Sequence, residues 1–326
     1  YFGICIFSSM QTWHGKYAIV SLVQMAIYFL VAVTVFAYYP RQPADFEMAF
    51  NGLIVGAVFL SIACLASGNY VFGLHKNAIG GALSYAALVC AERWFSARDP
   101  SRRTLFGVAL LILTAGLFYS LSRGGWMCAI TGLLVLVTMR RKFGLLLKMA
   151  LVLVPVIVFC WRYLPEESRD YAFTFSSERS NVSARFDSID YAWQQFSQSP
   201  VVGFGVGLRK MYDATNIVLL TAAETGLAGL AMFLLIHLFF FYTAYRAQRL
   251  LPRDHPASSL VAIGAALVAG KFVHGCVDHY WSRGSLLVVW GAAGMVIFGY
   301  NLARARRAAL QSQAQSQDPV VTGQRV

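Results

Sequence analysis

Residues 226–245 read GLAGLAMFLLIHLFFFYTAY, twenty positions without an Asp, Glu, Lys or Arg. At about 1.5 Å of rise per residue, such a stretch makes a helix about 30 Å long, which matches the hydrocarbon thickness of a bilayer. No polar stripe runs along it, as the surface helix of a water-soluble protein would require. Comparable runs recur near 17–38, 48–67, 77–95, 104–121, 124–139, 143–164, 258–277 and 284–301. They are too long and too continuous for barrel strands, whose two faces alternate, and a backbone in lipid must satisfy its own hydrogen bonds. The sequence therefore predicts an all-α polytopic membrane protein with about nine transmembrane helices.

Composition agrees. Only 13% of the 326 residues are charged, about half the share in a soluble globular chain, too few to cover a water-exposed surface of that size. The net charge of +12 would suggest nucleic-acid binding if the basic residues formed one face. Instead they fall between apolar runs, so no nucleic acid is expected as a partner. Segments 92–103, 140–148 and 246–254, with the tail from Arg304, hold 15 basic residues, and all four lie on one side if every run is a span. By the positive-inside rule that side is cytoplasmic. The opposite side then carries the 67–76 connection, the turn Ser122–Arg123–Gly124, the long segment 165–225 and the turn 278–283.

The chain divides accordingly into transmembrane helices over 1–164, an extramembrane segment over 165–225, further spans over 226–303 and a disordered cytoplasmic tail over 304–326. It opens at Tyr1 inside an apolar run with no basic leader and cleavage site, which predicts that earlier spans precede it. In the long segment eight acids face five bases, and Phe186, Ile189, Trp193 and Phe196 recur at helical spacing. Ser183–Gln198 therefore reads as an amphipathic helix lying over the bundle, capped by Ser183 and ended by Ser199–Pro200. Gly203, Gly205 and Gly207 follow in a turn-prone stretch that lacks the strand and helix of a nucleotide fingerprint. Pairs such as Gly52 with Gly56 and Gly80 with Gly81 suggest close helix contacts. The six cysteines show no metal-ligand spacing and read as small buried thiols. Neither a metal nor a cofactor is expected.

Polar groups on the predicted outer side carry the functional expectation, because charge near lipid is costly to keep. Lys76, beside His75 and Asn77, is either an interfacial anchor or part of a site for an anion. Arg123 stands on the side that should be poor in basic residues. Its forked donors match a phosphate or carboxylate, and Gly124 and Gly125 permit close backbone approach, although a structural pair with a loop acid would also explain it. Arg185 offers the same chemistry, or else pairs with Asp187 or Asp190. Lys271, His274 and Asp278 share one helical face, with His279 and Arg283 just beyond, and together supply cations with an acid or base. They read equally as a satisfied polar interior. Glu224 is a candidate for orienting an acceptor, or a carboxylate capping the approach to the next span. His237, deep in its apolar run, reads as a packing histidine.

The order of motifs resembles the O-antigen ligase and O-antigen polymerase family of bacterial polytopic membrane proteins. The likeness rests on Lys76–Asn77–Ala78–Ile79–Gly80, Leu121–Ser122–Arg123–Gly124–Gly125–Trp126, Ser183–Ala184–Arg185–Phe186 through Trp193, Ser199–Pro200 through Gly207, and Asn216 followed by Ala223–Glu224–Thr225–Gly226–Leu227–Ala228–Gly229. It implies a GT-C-like helical fold with a long periplasmic loop over a cavity in the bacterial inner membrane. It also implies metal-independent transfer of a glycan from an undecaprenyl-diphosphate carrier to a growing glycan, a lipid A core or a protein, alongside polysaccharide assembly proteins. By that resemblance Arg123 and Arg185 hold the donor diphosphate; Lys76 or Lys271, cations on the same predicted side, are expected to join them. Asn216, Gly226 and Gly229 match the loop-to-span motif, which normally places His before the Asn. Here Thr215 stands there, and a Thr hydroxyl is no general base near neutral pH. This departure favours a polymerase or exopolysaccharide relative over a ligase, with His274, Asp278 or His279 as a replacement base. Transfer to lipid A core and a transporter of lipid-linked glycan are the alternatives.

Overall fold

The computed structural model describes residues 1–12, 14–68, 70–173, 180–210, 215–278 and 285–317. His279, Arg283 and the last residues of the tail lie outside the described residues. The chain runs through α1 (Phe2–Ser9), α2 (Gly15–Met25), a π-helical turn (Ala26–Val31) and α3 (Ala32–Tyr38), then α4 (Glu47–Ser67), α5 (Lys76–Ser96), α6 (Pro100–Tyr119), α7 (Arg123–Arg140) and α8 (Gly144–Tyr163). It continues through α9 (Glu166–Phe173), α10 (Ser180–Gln198), α11 (Ile217–Leu250), α12 (Pro256–Val277) and α13 (Ser285–Gln317). Among the described residues the only β pairing is an isolated bridge between Val71 and Leu74. The protein is an all-α polytopic membrane protein.

Each expected apolar run falls on a helix, and seven helical segments among the described residues are long and apolar enough to cross a bilayer. The runs at 77–95 and 124–139 are α5 and α7, which fall outside that set. Both lie inside the bundle, packed on each other and on α12. Interior helices meet protein rather than lipid, so they tolerate Ser84, Glu92 and Arg140 among buried residues. The sequence also encodes where helices start. Asp99 accepts from the amides of Ser101 and Arg102 ahead of Pro100, and His255 accepts from that of Ala257 ahead of Pro256. In both, a side-chain acceptor and a proline at the first turn satisfy the starting geometry.

α12 is the central post, mostly buried and packed against α5, α7, α11 and α13. At the end where α5 and α7 finish and α12 begins, a buried polar network joins the helices. Glu92 Oε1 meets Arg140 Nε at 3.0 Å, with side chains 0% and 5% exposed. The hydroxyls of Ser96 and Ser259 donate to the same carboxylate oxygen at 2.7 and 2.8 Å. Arg140 also donates to Ser258 Oγ and to the Arg253 carbonyl, and Gln248 to Ser258 Oγ. The basic connections cluster at this end, as the charge asymmetry requires.

Four expectations are corrected. α10 begins at Ser180, so Ser183 lies within it rather than capping it. Its inward face is Ser188, Ala192 and Phe196, while Phe186 and Trp193 are 58% and 56% exposed, because polar ties at Ser188 and Arg185 outweigh the aromatic stripe in setting the helix's rotation. Gly52 and Gly56 face open space, whereas Gly80 makes a close contact between helices. The segment after Arg304 is helical to Gln317, not irregular, because Ala, Arg, Gln and Leu favour helix.

Removing one partner of the Glu92–Arg140 pair leaves a buried charge uncompensated. Glu92→Ala or Arg140→Ala should each lower stability by about 3–5 kcal/mol, seen as a lowered Tm in detergent. Glu92→Leu combined with Arg140→Met should recover most of the loss; additive losses in the double variant would contradict the pairing.

Candidate functional site

The opposite end of the bundle is built from glycine contacts and a broken helix. Ser122 caps α7, its Oγ accepting from the Gly125 amide at 3.2 Å. Gly125 lies against the backbone of Gly80 in α5, where a Cβ would come within 2.8 Å of the Gly80 carbonyl carbon. A Cβ at Gly124 would come within 2.6 Å of the His274 ring. No larger residue fits either position without moving these neighbours, so the starts of α5 and α7 close onto the end of α12. Lys76 and Arg123, both half-buried, are the first residues of those two helices.

α12 contributes the next groups. Lys271 and His274 are fully buried, and Asp278, one helical turn further, is 1% exposed. Lys271 Nζ donates to Ser285 Oγ at 3.1 Å and stands 5.9 Å from the centroid of Tyr85. Asp278 Oδ2 receives Arg185 of α10 at 3.5 Å, with the arginine side chain 39% exposed. The structure thus joins Arg185 to Asp278 rather than to its near neighbours Asp187 or Asp190.

Arg185 is positioned by a chain of hydroxyls. Ser188 Oγ donates to the Arg185 carbonyl at 2.8 Å and accepts from the Thr215 amide at 3.2 Å, while Ser188 and Thr215 hydroxyls meet at 3.0 Å. One donor and two acceptors exhaust a serine hydroxyl. Thr215 therefore ties α10 to the start of α11, where Asn216 caps the helix by accepting from Val218 and Leu219 amides. Ser188 gave no signal in the sequence because its partner lies 27 residues away.

α11 breaks at Gly226, whose φ of 64° and ψ of −167° suit glycine alone. The break strands the carbonyls of Ala223 and Glu224, and the glycine stretch answers both: Phe204 N donates to the first at 3.0 Å and Gly205 N to the second at 2.8 Å. Leu227 N in turn donates to the Pro200 carbonyl at 2.8 Å. The Glu224 carboxylate accepts from Gly207 N at 2.7 Å. Ser8 of α1 donates to the Glu224 carbonyl at 2.6 Å and accepts from Gly205 N at 3.0 Å. Gly229 leaves room for the Thr225 side chain, which bonds back to the Thr221 carbonyl. Glu224 and the loop motif thus form a backbone knot, while Lys76, Arg123, Lys271, His274, Asp278 and Arg185 belong to the neighbouring helix ends. The contribution of Ser8, 216 residues from its partner, was invisible in the sequence.

His237 bonds to the Phe233 carbonyl at 2.8 Å amid Phe233, Phe272 and Trp290, the packing role expected of it. All six cysteines are free, four of them buried. Among the described residues, no three His, Cys, Asp or Glu side chains are grouped to hold a metal ion.

Residues 108–234 match the family model for O-antigen ligase. The match covers less than half of the chain and supports the resemblance read from the motifs: the protein is similar to membrane enzymes of the O-antigen ligase or polymerase type, a glycan-transferring class. A search of curated proteins finds no match. The matched segment includes Arg123, Arg185, Thr215, Asn216 and the break at Gly226, and stops short of Lys271, His274 and Asp278.

Glu224→Ala should strand the buried Gly207 amide, at a cost of about 1–3 kcal/mol, and expose the 200–207 segment to limited proteolysis. Glu224→Gln retains an acceptor oxygen and should resist cleavage like the unsubstituted protein. Equal resistance in all three would contradict the carboxylate's role in the knot.

Proposed function

We propose that the protein transfers a glycan from an undecaprenyl-diphosphate carrier to a sugar hydroxyl of a growing surface polysaccharide, on the periplasmic face of the bacterial inner membrane. The observation that carries this reading is the Arg185–Asp278 pair, set beside the helix ends that bear Arg123, Lys76 and His274. Basic connections gather at the far end of the bundle, so the positive-inside rule gives these cations no topological reason to be here. α5, α7, α11 and α13 all begin at this end, and helix starts favour anions.

In this reading Arg123 and Arg185 grip the diphosphate, with Lys76 and Lys271 adding positive potential. The acceptor oxygen attacks the anomeric carbon, the bond from that carbon to the diphosphate oxygen breaks, and the bonding pair leaves on the diphosphate. The arginines stabilise that developing charge, which is where fixed donors accelerate a reaction most. The acceptor proton passes to a carboxylate or imidazole. Asp278 is the first candidate, since a donor that draws Arg185 away leaves its carboxylate for the acceptor, and His274 is the second. Thr215 acts as a positioning residue through Ser188, which suits a chain whose motif carries no His at that place.

Arg123→Ala and Arg185→Ala should each reduce transfer by about 100-fold or more in an assay with a defined lipid-linked donor and candidate acceptors, with membrane insertion intact. Asp278→Asn should lower kcat while leaving the KM for donor nearly unchanged. Wild-type rates in Arg123→Ala would sink the assignment, and polymer length read on the same gels separates chain extension from transfer to lipid A core.

A further inference from the structure

The fold leaves two aromatic rings of α10 in water. Phe186 and Trp193 are 58% and 56% exposed, and with the exposed Asp190 between them they recur at spacings of four and three, which sets all three on one outward stripe of the helix. Asp187 and Gln194, also exposed, flank it. The rings stand seven residues apart, about 10 Å along the axis, a length that two linked sugar rings span. Trp193 is braced from its inner side: its ring lies 5.6 Å from that of Phe196, which packs on the core.

Lipid and ligand are the two kinds of partner that cover aromatic rings beside a membrane, and the polar groups decide between them. A helix lying in the lipid interface separates an apolar face from a polar face rich in Lys and Arg. Here a carboxylate sits between the rings, and no Lys or Arg occurs from Phe186 to Gln198, a poor match for anionic head groups. The stripe matches a glycan instead. A sugar ring offers C–H groups on its faces, which settle on aromatic rings, and hydroxyls at its rim, which donate to carboxylate and amide oxygens. The same helix also reaches the reaction centre. Arg185, the residue before Phe186, is paired with Asp278 at 3.5 Å, and Asp278 is the first candidate for the acceptor proton. An acceptor whose hydroxyl reaches Asp278 therefore has the stripe leading away from it toward Pro200, whereas the donor is held where α5 and α7 begin.

We infer that the outward stripe of α10 is a subsite for the acceptor glycan, with sugar units stacked on Phe186 and Trp193 and their hydroxyls bonded to Asp190. The inference rests on the reading under Proposed function and adds a consequence which that reading does not contain: the acceptor is selected by length. A single sugar reaches Phe186 alone, and a longer chain gains Trp193. The two acids also disfavour a polyanionic chain, so the glycan that fits is uncharged.

The test uses the full chain in nanodiscs, with no lipid-linked donor present. Its probes are monosaccharides and fragments of several repeating units, both prepared from the surface polysaccharide of the bacterium that makes the protein. The long fragment should bind at least about tenfold more tightly than the monosaccharides, and Trp193→Ala should remove that advantage. Trp193→Tyr, which keeps a flat ring, should retain most of it, while Trp193→Leu, apolar without a flat face, should lose it as alanine does. If Trp193→Leu binds the long fragment like the unsubstituted protein, the ring is an apolar surface contact and the inference is overturned. Should Trp193→Ala lower the Tm, Phe186→Ala decides: weakened binding of both probes supports the subsite, and unchanged binding overturns it. In transfer assays with a defined lipid-linked donor, Trp193→Ala should raise the KM for a long acceptor and not that for the donor; the reverse pattern puts the donor's glycan on the stripe and overturns the inference. Fragment binding needs no diphosphate, so it judges the stripe even where no transfer is detected and the donor reading fails.

Discussion

The structure depends on one constraint: a backbone that leaves helical geometry beside a membrane must find its hydrogen bonds within the protein. α11 breaks at Gly226, and the two carbonyls stranded there are taken by Phe204 and Gly205 of the glycine stretch. That exchange pins 200–207 onto α11. With Ser8 and the Glu224 carboxylate, it draws α1, the 200–207 stretch and α11 to one point. The location of α10, and so of Arg185, follows from two ties: Pro200, just after the helix, joins the knot, and Ser188, within it, meets Thr215.

Glycine serves a second purpose on the neighbouring helices. The Gly80–Gly125 and Gly124–His274 approaches bring backbone to backbone and backbone to ring, so helices that begin with Lys76 and Arg123 stand close together despite their like charges. Burial of Asp278 and its pairing with Arg185 offset part of that repulsion. In the proposed reading, this end of the bundle would receive the diphosphate of the donor.

Much of this was legible in the sequence, for identifiable reasons. Lipid forces long unbroken apolar runs, so the helices could be located from hydropathy alone, and Arg123 stood out as a cation on the side where topology does not need one. The helical spacing of Lys271, His274 and Asp278 gave their common face, and the spread of motifs gave the resemblance that the family model supports. Aromatic periodicity reports hydrophobicity but not which face a buried hydroxyl must meet, so the sequence does not reveal the rotation of α10. Ser8, Ser188 and the choice of Asp278 over Asp187 as partner of Arg185 were invisible, since each depends on a contact between distant parts of the chain. For Glu224 the sequence leaves open an acceptor-orienting or a capping role, and the position of Gly207 shows that the carboxylate holds backbone.

The two ends of the bundle are also joined by different kinds of force. Parting the helices around Glu92 and Arg140 would separate ions already out of water, at several kcal/mol per ion, and would break the hydroxyl and amide ties from Ser258 and Gln248 as well. At the other end the joints are glycine contacts and an ion pair whose arginine is more than a third exposed, which can regroup at much smaller cost. Any relative motion of α5, α7 and α12 would therefore pivot about the Glu92–Arg140 end, like tongs riveted at one tip, and the jaws free to swing would be those bearing Lys76, Arg123 and Asp278.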